Sequence, residues 1–431
     1  MARKIKIEGG KSLTGSLRIG GAKNACLPIL AACVLVDGKI TIHDVPKISD
    51  IEELLLVMSS LGMKIRWSGN TVHLDTKNLL LNEVKNDGAK KIRGSLLLLG
   101  SLVGKFKSAR LPYPGGCKIG TRPIDLHISA FKDMGITTKT GSGAIECTTK
   151  RVKDATIYLD FPSVGATQNI ILASVLGTAK VKIIGAAKEP EVVDLVNFLR
   201  RCGASICGEG TDIIAIHGVK RLYSCEYTPI PDRVNTASYM LATATIGGEV
   251  TLENARPEHN FSLINKLIKY GVEIKTDTDK IHIKSNTNKH GNVMRTKNIQ
   301  SLQTSPWPGF STDIQSQFAT FAALNKGDLT ITENLFENRF TALTELEKLG
   351  GKICIKNRTA IIDGVSTFKG GTQDKPVITQ AKDLRGGVAL VIAGLAATGT
   401  TIIENADLVY RGHEDIVRDL ASLGAIISVE E

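Results

Sequence analysis

The chain has 431 residues, 42% of them hydrophobic and 5% aromatic, with a formal net charge of +11. Such a length and apolar content predict two or three domains with large cores and exclude a disordered or low-complexity chain. Eight scattered cysteines, without a CxxC pair or an HExxH, exclude a disulfide framework and leave only Cys202 and Cys207 as a conceivable shared metal pair.

The first residues, "MARKIKIEGG", are basic and then alternate. They predict an opening strand rather than a signal peptide. The region 3–20 therefore supplies a strand that must pair elsewhere in the chain. An apolar helix follows, "AKNACLPILAACVL", then a short strand, then the amphipathic "DIEELLLVMSSLGMKI". This unit recurs. Helices apolar nearly all round are predicted at "RGSLLLLGSLVG", "GATQNIILASVLG", "VNTASYMLATATIGG", "DIQSQFATFAALNKG" and "RGGVALVIAGLAATG". A helix without a polar face is a buried helix.

Each is followed by an amphipathic helix, a glycine and an alternating strand: "PIDLHISAFKDMGITT", "PEVVDLVNFLRRCGASI", "EHNFSLINKLIKYGVEI", "RFTALTELEKLGGKI" and "HEDIVRDLASLGAII". Gly62, Gly135, Gly203, Gly271, Gly350 and Gly424 stand where a helix C-cap glycine is expected. Six such units divide into two groups of three and predict an α/β chain of two globular halves around buried helices. The expected architecture is an inside-out α/β barrel with the sheets outside.

The two prolines of "YTPIPDRVN" interrupt the pattern between the third and fourth units. The domains are expected at 23–232 and at 1–22 plus 233–431, with crossovers near 20–23 and 228–235. A cleft between two such lobes suits a closing active site. The longest apolar run, "VALVIAGLAA" at 388–397, is too short to span a bilayer, so a cytoplasmic protein is expected. The basic balance suits anionic small substrates, nucleic acid or an anionic membrane surface. Scarce aromatics argue against single-stranded nucleic acid, which binds by stacking.

The loop "PYPGGCKIGTRPID" is an unusual setting for a thiol. Prolines and glycines flank Cys117, and Lys118 and Arg122 stand close in sequence; nearby cations stabilise a thiolate. With "GAKNACLPILAA" (21–32), "SVGAT" (163–167), "PGFSTDIQSQ" (308–317), "FENRF" (336–340), "DLRGG" (383–387) and "RGHED" (411–415), the chain resembles the UDP-N-acetylglucosamine 1-carboxyvinyltransferase family over essentially its whole length. The resemblance implies the enolpyruvyl transferase fold: two domains, each of three βαβαββ-type repeats around buried helices, joined by two crossovers. It also implies transfer of the enolpyruvyl group of phosphoenolpyruvate to the 3-hydroxyl of UDP-N-acetylglucosamine with release of phosphate. That step commits precursors to peptidoglycan, and so to cell wall, shape and division.

The same resemblance implies the site. Cys117 is the general acid toward C3 of phosphoenolpyruvate, the residue that can carry a covalent adduct, and the target of fosfomycin. Asp313 is the base for the sugar hydroxyl, where position alone suggests a helix cap. Lys23, Asn24, Arg122, Arg385 and Arg411 serve phosphoenolpyruvate, Lys23 also in catalysis; arginine's planar fork suits a phosphate or a carboxylate. Arg93, Arg122, Pro123, Ile124, Asp125, Leu126, Phe161, Ser163, Val164, Gly165, Asp313, Leu335 and Arg339 serve the sugar nucleotide, with Arg339 orienting Asp313 or the substrate. Ser163, Val164 and Gly165 would offer backbone N–H groups to the diphosphate at a helix start. No cofactor, metal, membrane or nucleic-acid partner is implied; phosphoenolpyruvate is a cosubstrate.

Some positions depart from the family. Phe161 stands where a nucleotide-contacting lysine occurs, His413 where a tyrosine is commoner, and "PDRVNTASYM" lacks a usual glycine. The polar stretch 285–302 is expected to be a surface excursion. The competing readings are a non-catalytic UDP-sugar-binding paralogue, a 3-phosphoshikimate 1-carboxyvinyltransferase and, on charge alone, a nucleic-acid-binding repeat protein.

Overall fold

A computed structural model describes residues 3–115, 119–141, 143–286 and 299–430. The chain divides into two units. The inserted unit comprises described residues 20–115 and Arg122–Ile230; the terminal unit comprises residues 3–19, 119–121 and the described part of Pro231–Glu431. The chain passes between units at Ile19–Gly20 and Ile230–Pro231, where the sequence reading placed the boundaries at 22/23 and 232/233. Residues 119–121, expected in the first domain, group with the terminal unit. Asn338 N–H donates to Ile119 O at 2.9 Å, and Thr121 N–H to Glu337 Oε2 at 3.3 Å.

Each unit has its own apolar core built around three helices. In the inserted unit these are Lys23–Cys33, Leu97–Phe106 and Val164–Ser174; in the terminal unit, Arg233–Ile246, Gln315–Ala323 and Leu384–Ala396. Almost every residue along them is buried, which is what a sequence without a polar face requires. The amphipathic partners are Ser49–Ser60, Asp125–Asp133, Pro190–Arg201, Phe261–Lys269 and Ile416–Ser422. The fifth segment, Leu343–Leu349, is a 3₁₀ helix rather than the expected α-helix. All six expected cap glycines have positive φ, from 74° at Gly135 to 105° at Gly62. A residue without Cβ is the one that ends a helix there without strain.

The sheets are small and mixed, and one plan recurs. An edge strand pairs parallel with a second, which pairs antiparallel with a third, which pairs antiparallel with a fourth. The sheet of Ala155–Tyr158, Lys180–Ile184, Ile213–His217 and Ser205–Cys207 has this order. So does that of Ser301–Gln303, Asp328–Thr332, Thr359–Asp363 and Lys352–Lys356. The sheet of Ser108–Pro112 has three strands, with a single parallel bridge, Glu83–Arg110, in place of the edge strand. Among the described residues no sheet closes on itself, so the expected barrel is not formed: each sheet covers its helices with two open edges.

The passages between units fall at the same point of the repeat. Strand Leu13–Arg18 precedes helix Lys23–Cys33 in sequence but pairs with Gly248–Glu253 of the terminal unit. Strand Glu226–Tyr227 precedes helix Arg233–Ile246 but pairs with Lys39–Ile42 of the inserted unit. The opening strand Lys4–Glu8 finds its place between Thr400–Glu404 and Ile426–Glu430, as the third strand of the last sheet.

Candidate active site

In the terminal unit the short 3₁₀ turn Thr312–Ile314 leads into helix Gln315–Ala323. Ser311, not Asp313, is the cap: its hydroxyl accepts from Asp313 N–H at 3.2 Å. The Asp313 side chain is thereby released from the role its position suggested. Arg339 Nη2–H donates to Asp313 Oδ1 at 2.6 Å, and Arg385 Nη2 lies 3.6 Å from Asp313 Oδ2. Both arginines are 2–3% exposed, while the Asp313 side chain is 29% exposed. A reachable carboxylate is thus fixed from behind by two buried cations.

Those cations are themselves held. Arg339 Nε–H donates to Thr312 O at 3.3 Å, and its Nη1 lies 3.7 Å from Asp383 Oδ1. Asp383 caps helix Leu384–Ala396, accepting from Arg385 N–H at 2.9 Å and Gly386 N–H at 3.1 Å. The cap therefore sets the first turn on which Arg385 stands. Glu333, fully buried, accepts from the Thr312 hydroxyl at 2.9 Å, Leu335 N–H at 2.9 Å and Phe336 N–H at 3.2 Å. It ties the backbone around Asp313 to the turn carrying Leu335. Arg411 is half-buried at the end of the 3₁₀ helix Ala406–Arg411; His413 is buried, edge-on to Tyr239.

In the inserted unit Lys23 opens its helix, buried rather than solvated, with Nζ 2.7 Å from Asp50 Oδ2. Asn24 beside it is half-buried and does not cap the helix; the cap position is Ala22. Arg93, half-buried, donates through Nη2 to Arg122 O at 2.6 Å and to Pro123 O at 3.4 Å. These bonds hold the turn in which Arg122 adopts φ 47°, an uncommon conformation for a residue with a Cβ. Burial, with the Arg122 charge beside it, lowers the Arg93 pKa to about 10. Ile124 and Leu126 are half-buried, Pro123 and Asp125 exposed, and Asp125 opens the helix Asp125–Asp133.

Ser163 caps helix Val164–Ser174 by accepting from Ala166 N–H at 3.3 Å. Val164 and Gly165 form its first turn, where backbone N–H groups lack helical partners and attract anions. Phe161 is exposed just before it. Behind this turn His127 lies buried, its Nδ1 3.0 Å from Asn169 Nδ2. Asn169 Oδ1 accepts from Gly100 N–H, so its amide nitrogen faces His127 and makes Nδ1 the acceptor. Burial, and secondarily the charge of Arg93, lower the His127 pKa to about 4 against a smaller pull from Asp125. Cys117 lies outside the described residues.

Reasoning from sequence missed Asp50, Thr312, Glu333, Asp383, His127 and Asn169. Each is a buried polar group whose partner is distant in sequence or lies in a loop. For Glu333 the one available signal is an acidic residue within an apolar strand end, just before "FENRF".

A family model described as EPSP synthase (3-phosphoshikimate 1-carboxyvinyltransferase) matches residues 7–420. Among curated proteins, the UDP-N-acetylglucosamine 1-carboxyvinyltransferase 2 of Caldanaerobacter subterraneus is 42% identical over 98% of this chain and 99% of its own. The UDP-N-acetylglucosamine 1-carboxyvinyltransferase of Clostridium botulinum is 40% identical over 98% and 99%. The chain belongs to the UDP-N-acetylglucosamine 1-carboxyvinyltransferase family. Its fold is that of the enolpyruvyl transferases: the crystal structure of the enolpyruvyl transferase NikO from Streptomyces tendae matches with TM-score 0.86 and 25% identity over 99% of both chains. The EPSP synthase from Acinetobacter baumannii shares the fold at 17% identity and TM-score 0.71, covering 100% of both chains.

Proposed function

We propose that the protein transfers the enolpyruvyl group of phosphoenolpyruvate to the 3-hydroxyl of UDP-N-acetylglucosamine, releasing phosphate, in the first committed step of peptidoglycan synthesis. The observation that carries the chemistry is the Asp313 carboxylate, accessible on one side and fixed by Arg339 and Arg385 on the other. In this reading Asp313 takes the proton of the sugar hydroxyl as its oxygen bonds to C2 of phosphoenolpyruvate, while Cys117 delivers a proton to C3. C3 then returns a proton to the Cys117 thiolate, the C2–O bond to phosphate breaks with phosphate leaving, and the enol ether remains.

Lys23, Asn24, Arg122, Arg385 and Arg411 supply charge and hydrogen bonds to phosphoenolpyruvate. Arg93, by holding the Arg122–Pro123 carbonyls, keeps the start of the 122–126 segment in shape for the nucleotide. The first turn of Val164–Ser174 offers N–H groups to the diphosphate, and Leu335 lines the sugar nucleotide. Phe161 contributes an apolar edge without a positive charge. Every step is redox-neutral and uses side-chain acids, bases and cations, so we assign no resident cofactor. Among the described residues no helix is long and apolar enough to cross a membrane, and we assign the reaction to the cytoplasm, where both substrates are made.

The test is phosphate release with both substrates present. Turnover is expected with UDP-N-acetylglucosamine and not with shikimate 3-phosphate, and fosfomycin should stop it by labelling Cys117. Asp313→Ala should lower kcat by about 10²–10⁴ while the sugar nucleotide still binds. Normal turnover in that variant would remove Asp313 from the mechanism; binding without turnover in the unaltered protein would favour the non-catalytic paralogue.

A further inference from the structure

The inserted unit carries a pair of thiols that the proposed reaction does not use. Cys202 follows helix Pro190–Arg201 as its C-cap residue and is fully buried. Cys225 is half-buried and immediately precedes strand Glu226–Tyr227. Their sulfurs lie 3.2 Å apart. The surrounding backbone holds them there. Tyr223 N–H donates to Cys202 O at 2.8 Å, and Thr41 N–H donates to Cys225 O at 3.1 Å. A disulfide needs its sulfurs at about 2.05 Å, so the pair at 3.2 Å has to close by roughly 1.2 Å.

The two thiols differ in reactivity. The hydrogen bond between the two thiols, and secondarily the Arg201 charge, hold the Cys225 thiol below its ordinary range against burial and the Glu226 charge. The same bond, with burial, raises Cys202. The accessible sulfur is therefore the better thiolate and the buried one waits beside it, the order a resolving pair requires. Cys33, whose thiol burial raises well above its ordinary range, is the third sulfur near Cys225.

We propose that Cys202 and Cys225 form a redox modification site that a peroxide converts into an intramolecular disulfide. The Cys225 thiolate attacks one oxygen of hydrogen peroxide, the O–O bond breaks, and Cys225 sulfenic acid and hydroxide form. The Cys202 sulfur then attacks the sulfenic sulfur, losing its proton as water departs and the S–S bond forms. Hydroxide takes up the proton originally held by Cys225, so two thiols and one peroxide give one disulfide and two waters. The bond ties the end of helix Pro190–Arg201 to the strand that leads into the passage at Ile230. That passage is already anchored to the same helix: Tyr227 O–H and Ile230 N–H both donate to the Asp194 carboxylate, at 2.6 and 3.0 Å. Oxidation thus turns a hydrogen-bonded attachment into a covalent one.

The experiment treats the full chain with hydrogen peroxide, blocks remaining thiols under denaturing conditions, and maps peptides without reduction. A peptide joining Cys202 to Cys225 is expected in the unaltered protein and in Cys33→Ser, absent in Cys225→Ser, and abolished by dithiothreitol. The midpoint of thermal unfolding should rise by roughly 5 °C on oxidation and fall back on reduction. A Cys202 that remains fully blockable after peroxide treatment overturns the proposal, as does a Cys33–Cys225 link or Cys225 driven to sulfinic acid without any link.

Discussion

At the scale of single residues, the decisive arrangement is a carboxylate whose two oxygens face two guanidinium groups. The planar fork of Arg339 reaches Asp313 Oδ1, Thr312 O and the Asp383 carboxylate together. A lysine keeps the charge but offers one point of attachment where three are used. Arg339→Lys is therefore expected to lower kcat about 10-fold or more with a smaller change in KM for phosphoenolpyruvate; steady-state kinetics separate the two. His127 makes a second prediction. Its pKa of about 4 in the folded chain lies below the ordinary 6.5, so the unfolded chain binds the proton first as pH falls. Stability should then decline from about pH 6.5 downward and level off below pH 4, losing about 2 kcal/mol by pH 5. Urea unfolding of the unaltered protein and of His127→Gln at pH 7 and pH 5 checks it. The unaltered protein should lose the larger share of its stability on acidification.

At the scale of elements, the six repeats end their second helices in the same way for the same reason, but the cost of changing them differs. Gly350 has φ 89° and open space where a Cβ would stand; Gly62 has φ 105°, and a Cβ there would collide with Asn78 O. Gly350→Ala should cost about 1 kcal/mol, the strain of a left-handed residue. Gly62→Ala should cost at least twice that, since backbone must also move. Thermal unfolding of the two variants tests the difference. Local pattern made these glycines, the buried helices and the alternating strands legible, because capping and periodicity act over a few residues. It did not show that Leu343–Leu349 would wind as a 3₁₀ helix. Nor did it show that Ser311 would take the cap from Asp313, since both residue types suit that position.

At the scale of the whole molecule, the opening strand explains how the chain can begin and end in one sheet. In five repeats the fourth strand turns back directly into the third, as Lys352–Lys356 does into Thr359–Asp363. In the sixth the third place is taken by Lys4–Glu8, distant in sequence from the fourth strand Ile426–Glu430, with Lys4 opposite Glu430. Residues 4–8 moved to follow Glu430 through a two-residue Asn-Gly turn should therefore restore the sheet, with Lys4 again opposite Glu430. Deleting them without replacement should strip amide protection from Thr400–Glu404 and Ile426–Glu430, leaving unpaired edges prone to aggregation. Hydrogen exchange on the deleted and permuted chains distinguishes restoration from loss.

The sequence by itself determined the repeat, the burial of one helix in each copy, the C-cap glycines and the family, because each is written in neighbouring residues or in ordered motifs. Only the tertiary structure decided that Lys23 would be buried against Asp50, that Arg339 and Arg385 would converge on Asp313, and that Cys202 would meet Cys225. It also decided that the small sheets would stay open and that the strands flanking each passage would belong to opposite units. Such pairings join residues far apart in the chain. They are selected by which buried charge or unpaired strand finds a partner, a choice that no local spacing records.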